Sequence, residues 1–98
     1  MPAYVFVDSE VLDEERAREY RVLAEASIAA HGGRYLVRGQ VPEVVEGAWP
    51  APRVITVLEF PDRDRAHAWY ASPEYERARV ARQGAIELRL LVVEGTRP

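Results

Sequence analysis

The order of strand-like and helix-like segments is the strongest constraint that this sequence places on its fold. Four short segments alternate apolar and polar side chains, as expected for strands with one buried face. They are residues 3–9, 34–40, 53–60 and 86–94. The second strand is expected to bend at Pro42 and to resume over residues 43–46, before a proline-rich turn at residues 47–52.

Two segments between these strands carry helix signals. Residues 14–31 repeat apolar side chains at three- and four-residue steps after Asp13, an N-cap residue that two acidic residues follow. The glycines at 32 and 33 end this helix. A second helix over residues 63–71 is interrupted at 72–74, where Ser72 caps a further stretch through Val80, and Gly84 closes it. Residues 95–98 are predicted to be a frayed tail.

The resulting order is strand, helix, strand, strand, helix, strand. Two split βαβ units with right-handed crossovers predict an α+β fold, the ferredoxin-like βαββαβ sandwich. In this fold one four-stranded antiparallel sheet carries both helical segments on a single face. Because 98 residues suffice for one domain and not for two, residues 1–98 are expected to form a single domain.

The alternation divides the strand side chains between two faces of the sheet. A nearly all-apolar set is predicted to face the helices: Val5, Val7, Tyr35, Val37, Val54, Leu58, Phe60, Leu88, Leu90 and Val92. The opposite set is mixed: Tyr4, Phe6, Leu36, Ile55, Val57 and Leu91 with Asp8, Arg34, Arg38, Glu59, Glu87 and Arg89. One protomer cannot cover this second face, so we expect a homodimer through the sheets, which forms an α/β barrel.

The composition excludes several classes of function. The chain has no cysteine, which excludes disulfides, thiol catalysis and zinc–thiolate sites. A net charge of −3 argues against a general nucleic-acid binder. The start of the chain carries no basic region typical of a targeting segment, and no apolar run is long enough for a membrane span, so we expect the cytoplasm as the default location. Neither His31 nor His67 has metal-ligand spacing around it, so no metal is expected and no cofactor, haem included, is assigned.

Three segments carry a family resemblance: residues 32–39 (GGRYLVRG), 58–61 (LEFP) and 68–75 (AWYASPEY). In this order they resemble the signature of the domain of unknown function family 1330, within the dimeric α/β-barrel superfamily. The resemblance runs over essentially the whole chain and implies a ferredoxin-like protomer that dimerises through its sheet. The superfamily includes cofactor-independent monooxygenases, muconolactone-isomerase-like enzymes, haem-degrading and chlorite-decomposing proteins, and members without known activity. Fold alone does not choose among these reactions.

Two titratable residues are candidates for acid–base catalysis. Glu59 lies on the predicted barrel face, where burial would raise the pKa of its carboxyl group and suit a general base. The alternative is a structural ion pair with an arginine of the same face, among them Arg34 and Arg38. His31 ends the first helix, where a protonated imidazole suits the helix C-terminus, and it could also act as an acid or base at the mouth of a cavity.

Four residues are candidates for ligand binding. Arg34 and Arg38 lie four residues apart on one predicted strand face and could hold a carboxylate or enolate between them. Pairing with neighbouring acids explains them equally well. Trp69 and Tyr70 are either aromatic anchors of the helix break or part of a pocket wall.

The sequence therefore predicts a small homodimeric protein that binds a small, partly apolar organic molecule, neutral or anionic, in a cavity between sheet and helices. Its enzymatic form would be a cofactor-independent monooxygenase or an isomerase-like enzyme. The alternative is a non-enzymatic ligand-binding or structural dimer whose charged barrel residues pair internally.

Overall fold

The predicted order of elements is confirmed in the computed structural model, which describes residues 1–50 and 52–96. The strands are β1 (Ala3–Val11), β2 (Arg34–Gln40), β3 (Val54–Phe60) and β4 (Ile86–Glu94). The helices are α1 (Glu14–Ala30), α2 (Arg63–Ala71) and α3 (Pro73–Ala81). The second helical segment is thus two helices that meet at Ser72, as the serine–proline pair predicts.

The strands form one antiparallel sheet in the order β2-β3-β1-β4. In the register, Phe6 of β1 lies opposite Val57 of β3 and Leu91 of β4. Each of the two central strands therefore pairs on both sides, whereas β2 and β4 are edges. This is the order of the ferredoxin-like fold, and the prediction of an α+β sandwich is confirmed.

Side-chain caps fix where each helix begins. The Asp13 side chain accepts a hydrogen bond from the Arg16 backbone N–H at 3.2 Å, and the Asp62 side chain accepts one from Arg65 at 2.7 Å. Ser72 Oγ accepts from the Tyr75 backbone N–H at 3.2 Å and donates to the Trp69 carbonyl at 2.7 Å. Ser72 thereby closes α2 and opens α3 with one side chain.

The core lies between the sheet and the helices. Its largest fully buried side chains include Trp69, Tyr75, Phe60 and Leu58. The Trp69 ring centroid is 5.3 Å from that of Phe60 and 4.3 Å from that of Tyr75. The LEFP and AWYASPEY segments of the family resemblance therefore pack against each other, which explains their residue types by core packing.

Several predicted boundaries differ from the structure. β1 extends past Ser9 to Val11, and His31 is the C-cap of α1 because the helix ends at Ala30. Residues 43–46 form no strand, and β3 extends only one residue, Val54, beyond the pair of Gln40 with Ile55. Ala51 of the predicted turn and residues 97–98 of the predicted tail lie outside the described residues.

Two register shifts in β2, between Tyr35 and Val37 and between Val37 and Gln40, correct the predicted faces of two residues. Tyr35 pairs with Leu58, but Val37 pairs with Val57, so two residues of β2 oppose one residue of β3. Such a bulge reverses the alternation after it, until the second shift restores it at Gln40, which pairs with Ile55. Val37 consequently shares the open face with Val57, and Arg38 turns to the helix side. The prediction that Arg34 and Arg38 share one face is wrong.

A candidate ligand site between the sheet and the first helix

A cavity of about 390 Å³ lies between the inner face of the sheet and α1. This volume is within the range of about 300 to 1,000 Å³ that is usual for small-molecule sites. Aliphatic side chains form much of its wall: Val7, Val11, Ala24, Ile28, Val54, Leu58, Ile86 and Leu88. The remaining lining residues are Ser9, Tyr20, Arg21, Tyr35, Arg38, Gly39, Thr56, Trp69 and Tyr75.

A hydrogen-bonded chain of side chains forms one polar part of this wall. Tyr20 of α1 and Tyr75 of α3 both line the cavity, and their hydroxyl oxygens are 2.9 Å apart. Arg82, the C-cap of α3, donates from Nη1 to the Tyr75 hydroxyl at 2.8 Å. Burial raises the pKa of both Tyr20 and Tyr75 above its ordinary value. Both phenols are therefore neutral at physiological pH.

A second polar part of the wall comes from β2 and β3. The Arg38 guanidinium lies 4.3 Å from the Tyr35 ring centroid and donates to Glu25 of α1 at 2.9 Å. The Gly39 backbone N–H donates to Thr56 Oγ1 at 3.0 Å. Because the Arg38 side chain is 48% exposed, this ion pair lies at the solvent edge of the cavity.

The structure brings only two of the predicted site residues into the cavity wall, namely Arg38 and Trp69. The Trp69 indole N–H donates to Ser27 Oγ at 3.0 Å, so the ring is fixed and its polar edge is already satisfied. Tyr70 lies outside the wall, with the Arg79 guanidinium 4.8 Å from its ring centroid.

Glu59 and Arg34 lie on the open face of the sheet, away from this cavity. Glu59 Oε1 accepts from Arg34 Nε at 2.7 Å, and the side chains are 22% and 70% exposed. Both residues line a smaller cleft of about 210 Å³ with Pro2, Gly32, Phe60 and Pro61. Glu59 was a candidate for either a general base or a partner in an ion pair, and the structure shows the ion pair with Arg34.

His31 lies where the end of α1 meets the start of α3. Its Nε2 is 3.7 Å from Glu74 Oε1, and the side chain is 23% exposed. The residue lies outside both the cavity and the smaller cleft. The two predicted catalytic residues, Glu59 and His31, therefore do not meet around this cavity.

A charged cluster lies among apolar side chains on the open face of the sheet. Asp8 pairs with Arg53 at 2.6 Å and with Arg89 at 3.0 Å. Desolvation alone would raise the pKa of Asp8, but hydrogen bonds and charge from Arg89 and Arg53 outweigh it and lower the pKa. Phe6 and Leu91 lie exposed on the same face, at 41% and 61%.

Within residues 1–50 and 52–96, no three histidine, aspartate or glutamate side chains are grouped so that they could hold a metal ion. In the same part of the chain, no helix is both long enough and apolar enough to span a bilayer.

The strand order and the helices on one face of the sheet define a ferredoxin-like α+β fold. The chain belongs to the family described as Domain of unknown function (DUF1330), which matches residues 2–96. The family resemblance seen in the three sequence segments is therefore confirmed. Comparison by sequence with curated proteins finds no match.

Solved structures share this fold at low sequence identity. The RPA0582 protein of unknown function from Rhodopseudomonas palustris is 17% identical with a TM-score of 0.79, over 99% of this chain and 84% of that chain. A dimeric ferredoxin-like protein of unknown function from Jannaschia sp. CCS1 is 14% identical with a TM-score of 0.69, over 97% and 100%. SnoaB, a cofactor-independent oxygenase from Streptomyces nogalater, is 11% identical with a TM-score of 0.63, over 100% and 97%.

The sequence missed the tyrosine pair and Arg82 as site residues. Tyr20 belongs to the apolar repeat of α1, which is typical of a core position, and Tyr75 belongs to the AWYASPEY segment, whose aromatic residues are either anchors of the helix break or part of a pocket wall. Their meeting depends on the packing of α1 against α3, across 55 residues of sequence. The only available signal was the presence of tyrosine rather than phenylalanine at two core positions, because a buried hydroxyl needs a partner.

Proposed function

We propose that this protein is a homodimer that binds a small, partly apolar organic molecule in the cavity between the sheet and α1. The observation that carries the proposal is the cavity itself, about 390 Å³ in volume and lined by aliphatic side chains with a few phenols. A concave, mostly apolar space with a few polar groups is the usual form of a small-molecule site, and this supports the proposal.

The lining selects the chemistry of that molecule. Two of its arginines already have carboxylate partners, since Arg21 pairs with Glu14 at 2.7 Å and Arg38 pairs with Glu25 at 2.9 Å. The aliphatic part of the wall favours a ring or hydrocarbon body, and the hydroxyl groups favour one or two oxygen atoms on it. A cofactor-independent oxygenase or isomerase-like reaction on this molecule is the enzymatic form of the proposal, supported by the fold shared with SnoaB.

The homodimer is supported by the open face of the sheet. Phe6, Leu91 and Val93 expose 41%, 61% and 45% of their surface there. Exposed apolar residues that are contiguous on one face mark an interaction surface. The Jannaschia protein of the same fold is itself described as dimeric.

Ligand binding can be tested through the fluorescence of Trp69, which lines the cavity. In a Trp49→Phe background Trp69 is the single tryptophan. We expect naphthalene and 2-naphthol to quench or shift its emission in a saturable way. Ala24→Leu should abolish this response, because Ala24 lies in the cavity wall and the larger side chain fills the space.

Ala26→Leu is the matched control, since Ala26 lies on the exposed side of the same helix. It should leave the fluorescence response unchanged. No saturable response at millimolar probe, or an equal response in Ala24→Leu, would contradict the proposed site. A library of small ring compounds incubated with the protein and oxygen, with product analysis by mass spectrometry, separates the enzymatic form from the non-enzymatic alternative.

A further inference from the structure

The hydrogen bonds of the Tyr20–Tyr75–Arg82 chain leave one hydroxyl hydrogen without a partner. A guanidinium can only donate, so the Tyr75 oxygen is the acceptor of its bond with Arg82. A single hydroxyl hydrogen then bridges the two phenol oxygens, which are 2.9 Å apart. In the part of the chain that the structure describes, neither hydroxyl makes another hydrogen bond. Two hydroxyl hydrogens with one bridge leave one hydrogen free.

The guanidinium decides which phenol keeps that free hydrogen. Accepting a bond from Arg82 polarises the Tyr75 O–H group and makes it the better donor of the two. Tyr75 therefore donates to Tyr20, and the Tyr20 hydroxyl hydrogen remains unused. Since Tyr20 lines the cavity, the cavity wall offers a polarised O–H donor.

The charge behind this donor is also uncompensated. Among residues 1–50 and 52–96, no carboxylate lies within 4.0 Å of the Arg82 guanidinium, in contrast to Arg21 and Arg38. The Arg82 guanidinium carbon lies 5.9 Å from the ring centroids of both Tyr20 and Tyr75, and Arg82 is not itself a lining residue. Its positive charge thus lies beside both phenols, and it would stabilise negative charge on an oxygen that accepts from Tyr20.

We propose that Tyr20 binds the oxygen of a phenol, enol or conjugated ketone on the ligand, with Tyr75 and Arg82 as positioning residues that orient and polarise its hydroxyl group. This inference rests on the proposed function and names the ligand class for the same cavity. A free carboxylate is a poorer fit, because it calls for several donors, and the arginines in the wall already pair with glutamates.

The test uses two probes that differ in one group, 4-nitrophenol and 4-nitrotoluene. The phenolate form of 4-nitrophenol absorbs visible light, so its protonation state can be followed while it is bound. We expect the wild-type protein to bind the phenolate at least about tenfold more tightly than the phenol, which lowers the apparent pKa of the bound probe. 4-Nitrotoluene should bind as well, because it fills the same space.

Variants test whether the phenolate preference depends on the hydrogen bonds between Tyr20, Tyr75 and Arg82. Tyr20→Phe should remove most of the phenolate preference while leaving the binding of 4-nitrotoluene within about twofold of the wild type, since only the hydroxyl group is lost. Arg82→Met should reduce the preference without removing the donor. Tyr70→Phe is the matched control: Tyr70 also stands beside an arginine but lies outside the cavity, and the preference should persist. Circular dichroism and thermal unfolding establish that each variant is folded.

The outcomes separate this inference from the proposed function. If both probes bind saturably and the spectrum shows no phenolate preference, the Tyr20 assignment fails while the ligand site stands. The assignment also fails if Tyr20→Phe and Tyr70→Phe behave alike, or if 4-nitrobenzoate binds more tightly than either probe. If neither nitro compound binds, and naphthalene and 2-naphthol also fail, the proposed ligand site itself is wrong.

Discussion

Replacing Gly33 with alanine would place a methyl group against the side chain of Phe60. An ideal Cβ at Gly33 is 2.6 Å from Cε1 and 2.7 Å from Cζ of Phe60, and 2.9 Å from Cγ2 of Ile28. Carbon atoms pack at about 3.5 to 4.0 Å, so the ring would have to move by nearly 1 Å. Phe60 is fully buried and stacks near Trp69, so its ring has little room to move.

Overpacking of a well-filled core costs about 1 to 3 kcal/mol in the free energy of unfolding. Because the new methyl group meets two buried side chains at once, we expect a loss of about 2 to 3 kcal/mol for Gly33→Ala. Urea unfolding followed by circular dichroism measures this loss. All samples need the same protomer concentration, since dimerisation would add to the apparent stability.

The neighbouring Gly32 supplies a control with a different physical cause. Its φ is +77°, and the atoms nearest to its ideal Cβ lie at 3.4 to 3.8 Å, which is ordinary contact. Gly32→Ala should therefore cost about 1 to 2 kcal/mol from the left-handed backbone alone. Phe60→Leu should rescue Gly33→Ala by about 1 kcal/mol, whereas its effect should add to that of Gly32→Ala within about 0.5 kcal/mol. Strict additivity of Phe60→Leu with both glycine substitutions, or a Gly33→Ala protein as stable as the wild type, would refute the argument.

Three further predictions concern caps, charge and assembly. Ser72→Ala should lower the free energy of unfolding by about 1 kcal/mol, measured in urea, because Ser72 caps α3. Asp8 has a lowered pKa in the folded state, so it stabilises the protein above its ordinary pKa of about 4, and this contribution is lost as the pH falls through the lower folded value. Asp8→Asn should therefore flatten the acid limb of a plot of melting temperature against pH, and an unchanged limb would contradict the role of the Arg53 and Arg89 pairs. Leu91→Glu should shift sedimentation equilibrium towards the protomer, and a wild-type protein that sediments only at protomer mass would contradict the dimer.

The element order was predictable because local signals and tertiary structure agree. Asp13, Asp62 and Ser72 all cap helices in the structure, and the apolar strand positions of β1, β3 and β4 face the helices. The β2 bulge was not predictable, since Leu36, Val37 and Arg38 fit an uninterrupted alternation equally well. An extra residue in a ladder leaves the sequence pattern unchanged but moves the side chains that follow it to the other face, until a second shift as at Gln40 restores the alternation.

The candidate site was less predictable than the fold, because its residues come together only through tertiary packing. A cavity wall is assembled from residues distant in sequence, here Tyr20 on α1, Tyr35 on β2 and Tyr75 on α3. Each is an unremarkable apolar position in its own element. Charged residues at alternating strand positions instead predicted a site on the opposite face of the sheet, where Glu59 and Arg34 pair. The location of a cavity depends on how the layers pack, and one sequence does not specify it.

Glu59→Gln decides whether the chemistry of the chain lies on the open face or between the layers. Because Arg34 is 70% exposed, the Glu59–Arg34 pair should contribute less than about 1 kcal/mol, and the variant should remain folded. It should also bind 2-naphthol normally, since Glu59 is on the face opposite the cavity. Thr56→Leu, on the cavity side of the same strand, should block that binding. If Glu59→Gln instead abolishes binding or turnover while its melting temperature is unchanged, Glu59 is the base that the sequence suggested and the site lies at the sheet interface. If it loses several kcal/mol, the pair is buried between two protomers, because removing one partner then strands the other charge away from water.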